Sequence, residues 1–217
     1  MKHFKRFAFI AFICLSALSK AQGLKNELGV EGGPGLTFLY GNSFANRNIK
    51  PFFGGTVGGY YQRNLLKIFS LKTGLYYINI GSQSPNQTFS SPGQPFRTNV
   101  NTDYLSVPVL AKLSFGGIAK FFINAGPYAS VLLNATQNYQ NVYQSNSSDN
   151  IKYKKYDLGV AFGLGLSIDL KRISINLEER SNLGLINTNS VVNAQNGDVK
   201  TFISSLILGV GYRFGKK

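Results

Sequence analysis

Large apolar side chains alternate with small or polar ones along most of the chain. The clearest example is YDLGVAFGLGLSIDL (156–170), where the even positions are Tyr, Leu, Val, Phe or Ile and the odd positions are Asp, Gly, Ala or Ser. A period of two is typical of β-strands whose two faces meet different surroundings. Similar segments recur and predict eight strands, at about 27–40, 52–62, 68–80, 102–115, 120–136, 156–170, 173–187 and 202–214.

The links between these strands are alternately short and long. RNLLK, GGIA and KR follow strands two, four and six, whereas the other links are long and rich in Asn, Ser, Gln and Pro: GNSFANRNIK, SQSPNQTFSSPGQPFRTNVN, QNYQNVYQSNSSDNIK and TNSVVNAQNGDVK. Barrels of the bacterial outer membrane show this asymmetry, with short periplasmic turns and long outer loops. The pattern predicts an all-β fold, an eight-stranded antiparallel up-and-down transmembrane β-barrel with both termini at the short-link end.

The glycine-rich face of segment 156–170 indicates which side of the sheet meets lipid. A water-exposed strand face is usually built from Lys, Glu, Thr and Gln, whereas Gly there is entropically costly and packs nothing. Small residues instead fit the crowded interior of a narrow barrel, since eight strands leave room only for side chains. The large apolar face is therefore predicted to contact outer-membrane lipid. Pro34, Pro108 and Pro127 cannot donate ladder hydrogen bonds and predict bulges or kinks.

Following the inward phase of the strands predicts a network of charged side chains in the lumen. Its members are Glu31, Lys72, Lys112, Asp157, Asp169, Glu178, Arg180 and Arg213. Both signs are present, so we expect the charges to neutralise one another. Because the last strand must close on the first, Arg213 is expected to pair across the lumen with Glu27 or Glu31. The alternative is that the charges line a selective permeation path.

One acidic residue falls in the outward phase. Glu179 alternates with Leu177 and Leu183, where a charge facing lipid is expensive. Either a local bulge turns its side chain away from lipid, which is the interpretation we favour, or Glu179 forms an outward polar strip with Ser181 and Ser204 that meets a partner protein. The adjacent pair Glu178-Glu179 cannot act together on one bond, since neighbours on a strand point to opposite faces.

The N-terminus predicts export and cleavage. A basic start, MKHFKR, precedes the apolar run FAFIAFICLSALS and a small-residue cleavage site, which together indicate a signal peptide over residues 1–21 and a barrel domain over 22–217. Removal of that segment takes away His3, Cys14 and Met1, the only residues of their types, and the chain has no Trp. Without His or Cys, the common nucleophilic centres and Cys/His metal sites are unavailable. We therefore expect no catalytic, metal or cofactor site.

The charge balance is basic. Four of the 23 Lys and Arg residues lie in the first 21 residues, which leaves 19 against 9 acidic residues in the exported chain. An excess of positive charge favours anionic partners. Export argues against nucleic acid, and lysines scattered over turns and loops explain the excess equally well.

Several stretches resemble the outer-membrane β-barrel domain of Bacteroidetes-type Gram-negative bacteria, described as porin-family or PorT-like. They are GVEGGPGL (29–36), DYLSVPVLAKLSF (103–115), FFINAGPYASVLL (121–133), DLGVAFGLGLSI (157–168), INLEERSNLGLINT (175–188) and LGVGYRFG (208–215). The ending also resembles the C-terminal assembly signal of such barrels, carried here by Gly209, Tyr212 and Phe214. The resemblance implies an outer-membrane location and, during biogenesis, a barrel-assembly machinery as partner.

These observations lead to one expected role and two rivals. We expect a monomeric barrel with a filled lumen that serves a structural, adhesion, or assembly and secretion-partner role, with long surface loops that contact a protein partner. The first rival is a small-solute porin or hydrophobic-compound transporter. The second is a secreted soluble carrier similar to lipocalins, which would place the apolar face inside the barrel.

Overall fold

The computed structural model describes residues 26–40, 51–88, 95–141, 147–150, 154–188 and 198–215. The strands are β1 (Asn26–Tyr40), β2 (Phe52–Asn64), β3 (Phe69–Thr88), β4 (Pro95–Gly116), β5 (Ala119–Asn141), β6 (Ser147–Asn150), β7 (Tyr156–Leu170), β8 (Ile173–Gly184) and β9 (Lys200–Phe214). Across these ranges no helix has the length and hydrophobicity to span a bilayer. The predicted signal peptide, residues 1–21, lies outside the described residues.

The strands form one closed antiparallel ring. Except for β6 and β7, each strand pairs with its neighbour in the chain, and β1 pairs with β9 to form the closing seam. β6 and β7 both pair with β5, β6 at residues 136–139 and β7 at 119–131. These two segments therefore occupy one position in the ring. The described chain is an eight-stranded up-and-down barrel, as the sequence predicts.

The two faces of the strands are oriented as the alternation predicts. On β7, Phe162 and Leu164 are 48% and 53% exposed on the outer surface, whereas Asp157 and Ala161 are almost fully buried inside. The same outward exposure of large apolar residues recurs on every long strand, for example at Val30, Leu75, Val109, Ile123, Leu177 and Leu208. A soluble carrier would bury this face. The ring instead presents a continuous apolar surface.

Several predicted strand boundaries were too short. β3 continues to Thr88 rather than ending near residue 80, β4 begins at Pro95 rather than near 102, and β5 continues to Asn141. The second long link is therefore largely an extended hairpin, and part of the third link is strand as well. Alternation of apolar and polar residues fades there because a sheet beyond the membrane needs no lipid-facing side. In contrast, β8 ends at Gly184, before its predicted end near 187.

The three prolines do not create bulges, so that part of the prediction was wrong, whereas local kinks stay a prediction. The register on either side of Pro34, Pro108 and Pro127 is unchanged, and one ladder beside each proline lacks the proline's own pair and one adjacent pair. The Thr73 hydroxyl donates to the Pro108 carbonyl oxygen at 2.8 Å beside one such gap. The register shifts of the described ladders lie elsewhere, between Ser84 and Gln87 and between Asp103 and Tyr104.

The interior holds more large apolar side chains than the sequence analysis expects. One buried cluster comprises Leu39, Tyr60, Tyr76, Ile78, Ile80, Tyr104, Val199 and Ile203. A second comprises Leu110, Tyr128 and Ala161. Tyrosines suit this position because the ring fills volume and the hydroxyl reaches a polar partner. The lumen is therefore filled by aromatic, aliphatic and charged side chains together.

Candidate functional site

Four charged side chains meet in the middle of the lumen. Lys72 Nζ lies 2.7 Å from Glu31 Oε2 and 3.0 Å from Glu178 Oε2. Arg180 binds the same two carboxylates, with Nη2 2.6 Å from Glu31 Oε1 and Nε 2.6 Å from Glu178 Oε1. All four side chains are nearly inaccessible to solvent. We call Glu31, Lys72, Glu178 and Arg180 the central cluster; its two acids and two bases balance.

Neutral groups complete the hydrogen bonding of the central cluster. The Tyr76 hydroxyl donates to Glu31 Oε1 at 2.7 Å, and the Asn124 amide donates to Glu178 Oε1 at 3.0 Å. The Arg180 guanidinium also lies 5.1 Å from the centre of the Tyr76 ring, within the range of a cation–π contact. Each carboxylate therefore accepts several charge-assisted hydrogen bonds, which is the arrangement that a buried ion pair requires.

Inward glycines make room for the central cluster. A Cβ on Gly209 of β9 would lie 2.9 Å from Glu31 Cβ and 3.2 Å from its Oε2. A Cβ on Gly163 of β7 would lie 2.9 Å from Glu178 Oε1. Both contacts are closer than ordinary side-chain packing. The glycine-rich inner face of the barrel therefore has a specific cause: carboxylates from β1 and β8 reach across the intervening backbone.

The remaining predicted lumen residues lie above and below the central cluster. Below it, towards the short turns, Lys112 Nζ donates to Gln62 Oε1 at 3.1 Å and lies 3.9 Å from the centre of the Phe122 ring. Nearer the periplasmic end, Asp169 Oδ2 binds Arg213 Nη1 at 2.8 Å and Lys120 Nζ at 2.5 Å. Lys120 was not predicted as a lumen residue, although its position in the phase of Phe122 indicates one.

Arg213 forms the predicted ion pair with Glu27, but this is not its closest contact. Its Nε lies 3.7 Å from Glu27 Oε2, but Glu27 is its register neighbour across the β1–β9 seam and not a group across the lumen. The closer partner is Asp169, two strands away on β7. Glu31, the other candidate partner, is bound in the central cluster instead. Over the described inward side chains, acidic and basic groups are equal in number once Glu27 and Lys120 are included.

Asp157 lies above the central cluster, towards the long links. Its Oδ2 accepts hydrogen bonds from the Thr201 hydroxyl at 2.6 Å and the Tyr128 hydroxyl at 3.3 Å. Within the described chain it forms no ion pair, so these two hydroxyl groups and a hydrogen bond from the Leu158 backbone N–H stabilise this buried carboxylate.

Replacing Thr201 by Val should lower the free energy of unfolding by about 1–3 kcal/mol, because a buried carboxylate loses its closest donor. Equilibrium urea unfolding in detergent micelles, followed by tyrosine fluorescence, measures the change. Thr102→Val is the matched control, since Thr102 is equally buried but donates to the neutral carbonyl of Ile80. It should cost about 0.5–1.5 kcal/mol. A larger loss for Thr102→Val would contradict the importance of the charged acceptor.

The described lumen contains little free space. A gap lined by Tyr76, Ser106, Arg180 and Asn182 has room for about one water molecule, and so does a second gap beside Asp157 and Thr201. Among the described residues there is no group of three or more His, Cys, Asp or Glu side chains suited to a metal ion.

Glu179 and the C-terminal residues lie on or near the outer surface. The β8 register through Glu179 is continuous with both neighbouring strands, so the favoured prediction of a local bulge was wrong. Glu179 Oε1 accepts hydrogen bonds from the Ser181 and Ser204 hydroxyls at 2.9 and 2.8 Å. Tyr212 and Phe214 are outward and exposed, whereas Gly209 faces the lumen.

A closed antiparallel barrel with an apolar outer surface and an ion-paired, filled interior defines the class of bacterial outer-membrane β-barrel proteins. The chain belongs to the family described as the outer membrane protein beta-barrel domain, whose model matches residues 20–190. The protein is located in the bacterial outer membrane.

Several solved structures of bacterial outer-membrane and surface proteins are similar to this chain at low sequence identity. The outer membrane protein OprG from Pseudomonas aeruginosa is 12% identical, with a TM-score of 0.50, and the match covers 90% of this chain and 99% of that one. The attachment invasion locus protein Ail of Yersinia pestis is 13% identical, with a TM-score of 0.41 and coverage of 87% and 99%. Neisserial surface protein A is 14% identical, with a TM-score of 0.46 and coverage of 87% and 97%. No curated protein sequence matches the chain.

Proposed function

We propose that this protein is a closed surface barrel that binds a protein partner through the sheet extending beyond its outer rim. Strands β3, β4, β5 and β6 continue past the point where β2 stops pairing with β3, at Gly55 and Asn79. β3 and β4 remain paired out to Thr88 and Pro95, and β4 and β5 out to Phe96 and Asn141. This one-sided extension is the observation that carries the proposal.

The extension has the reach and rigidity of a binding platform. Eight residues of β3, from Gly81 to Thr88, add about 25 Å of strand at about 3.3 Å per residue. The Thr37 hydroxyl accepts from the Gly81 N–H and donates to the Gly81 carbonyl oxygen, which anchors the base of the extension to β1. The sequence of the extension is rich in Ser, Asn and Gln, which supply the adaptable hydrogen bonds of recognition surfaces.

The filled lumen favours binding over transport. Side chains of the central cluster and the tyrosines around it occupy the middle of the barrel, and each of the two gaps described above has room for only about one water molecule. The small-solute channel and the hydrophobic-compound transporter would each need these groups to separate.

Purified protein in planar bilayers should give no stepwise conductance above background. Cells of a non-adherent Gram-negative host that carry it should settle several-fold more on a protein-coated surface than cells with the empty vector. Regular conductance steps, or uptake of small solutes by protein-containing vesicles, would favour the channel instead.

A shortened hairpin separates the binding role from folding. Replacing residues 83–99 by Asn-Gly joins Ser82 to Val100, which already form a register pair, through a two-residue turn. The barrel should still migrate faster unheated than boiled in detergent electrophoresis, and the gain in adhesion should disappear. Full adhesion by this variant would contradict the proposed surface.

Three finer assignments belong to the same proposal. The barrel acts as a monomer with respect to copies of itself, and Gly209, Tyr212 and Phe214 serve as its assembly signal for the barrel-assembly machinery. The outward exposure of Tyr212 and Phe214 supports recognition of these two residues before insertion. The stretches quoted above support a relationship with the Bacteroidetes-type, PorT-like group.

A further inference from the structure

An acidic side chain lies on the lipid-facing surface of the barrel. The register neighbours of Glu179 are Leu164 on β7 and Leu206 on β9, which are 53% and 56% exposed on the outer face. Leu177, the preceding outward residue of β8, is also exposed. Apolar residues therefore surround the carboxylate, at a depth where charged groups are rare and costly.

Local hydrogen bonds satisfy only half of this carboxylate. Ser181 and Ser204 both donate to Oε1, at 2.9 and 2.8 Å. No described residue donates to Oε2 or forms an ion pair with Glu179. We call Glu179, Ser181 and Ser204 the outer polar patch. Glu179 is half-buried on this outer face, where hydrocarbon offers its second oxygen no donor.

We propose that the outer polar patch is a contact surface for a membrane-spanning segment of another protein, one that presents a Lys, Arg or amide donor to Glu179 Oε2. A second copy of this chain that packs through the same patch does not meet this need, because both serine hydroxyl protons are already donated to Oε1. Lipid amines lie at the membrane surface, whereas apolar residues flank this patch on both neighbouring strands. A positively charged donor on a neighbouring protein offsets the free-energy cost of exposing this carboxylate to hydrocarbon.

The shape of the surface fits a close lateral contact. Ser181 pairs with Phe162 and Ser204 pairs with Leu36, so the two small side chains lie between two large ones. Small residues at a membrane contact let two backbones approach closely and let polar groups bond across the contact. Ser181 itself is only 5% exposed, so the two serines leave a narrow position between Phe162 and Leu36 beside the carboxylate.

Site-specific photo-crosslinking in the outer membrane of the source bacterium tests this proposal. Benzoylphenylalanine at Leu206, beside the patch, should give a discrete adduct with another outer-membrane protein. The same probe at Val109 should not, because β4 lies on the opposite side of the ring at a similar distance from the short turns. Glu179→Leu should reduce the Leu206 adduct at least tenfold. Replacing the Lys, Arg or amide residue at the crosslinked position of the identified partner should reduce it similarly.

Controls distinguish this contact from a folding defect and from the extracellular surface. Glu179→Leu should migrate as a folded barrel without heating and unfold at the same or a higher urea concentration, because it removes a charge from the lipid face. The hairpin variant lacking residues 83–99 should keep the Leu206 adduct, so the two proposals succeed or fail separately. A homodimeric adduct, an adduct with lipid alone, no adduct, equal adducts at Val109, or an adduct that survives Glu179→Leu would each overturn the proposal.

Discussion

Replacement of Arg180 by methionine is expected to lower the free energy of unfolding by about 3–5 kcal/mol. The substitution keeps most of the side-chain volume but leaves Glu31 and Glu178 sharing Lys72 as their cation within the central cluster. Two buried carboxylates of like charge then face each other with too few donors. Urea unfolding of the barrel refolded into detergent micelles measures the loss, and the mobility of unheated protein reports the folded fraction.

A charge-balanced variant tests whether pairing, rather than charge itself, is what matters. Lys72→Met combined with Glu31→Gln removes one base and one acid and leaves Arg180 with Glu178, a contact at 2.6 Å. It should destabilise the barrel less than Arg180→Met, because replacing a buried pair by neutral groups is often nearly neutral. An equal or larger loss for the double variant would show that the cluster stabilises the barrel by packing rather than by charge pairing.

Replacement of Leu75 by lysine should cost about 2–4 kcal/mol, and the same change at Leu170 only about 0–1 kcal/mol. Both side chains are outward and similarly exposed, at 52% and 51%, and Leu75 faces Gly59 on β2 rather than a carboxylate. Leu75 lies well inside β3, which begins at Phe69, whereas Leu170 adjoins the short turn at Lys171 and Arg172, where a lysine reaches the membrane surface. The difference between the two variants therefore depends on depth in the bilayer.

The measurement needs a lipid bilayer, since micelles adapt to an inserted charge. Reversible unfolding from phospholipid vesicles, followed by tyrosine fluorescence, is suitable because the chain has no Trp. Equal costs at both positions would contradict membrane placement of this face and support a soluble barrel.

The strand pattern was predictable because each membrane-spanning strand separates hydrocarbon from lumen. Residues 156–170 carry that contrast at every position, and their predicted and observed bounds coincide. The contrast ends where a strand leaves the membrane, so nothing in SQSPNQT (82–88) distinguishes a strand from a loop. The hairpin continues beyond the membrane because β3 and β4 remain paired there. Alternation along a single strand carries no information about such pairing.

The orientation of the lumen charges was predictable, but most of their partners were not. Counting alternate residues places Glu31, Lys72 and Arg180 inside the barrel. Their meeting depends on how strands that are two positions apart in the ring are staggered, and on glycines that open the path between them. Arg213 is an example. The closing seam predicts its contact with Glu27, but not its closer bond to Asp169, which crosses over β8 to reach β7.

The inward tyrosines were missed because the sequence is ambiguous where they occur. Tyr60-Tyr61 and Tyr76-Tyr77 each place one tyrosine inside and one outside, so the local pattern shows no contrast. The hydroxyl groups decide the outcome, since Tyr60 donates to Glu27 at 2.6 Å and Tyr76 donates to Glu31 at 2.7 Å. The inward tyrosine of each of these two pairs therefore lies beside an inward carboxylate.

Pairing of β9 with β1 is the step that closes the barrel. β9, the last 15-residue strand, pairs with β1 along most of its length. A polypeptide cut short before β9 keeps two unpaired edges, and each unpaired backbone group exposed to hydrocarbon costs several kcal/mol. Truncated translation products therefore cannot insert stably into the membrane and remain accessible to periplasmic proteases. A polypeptide that includes β9 becomes protease-resistant when β9 pairs with β1.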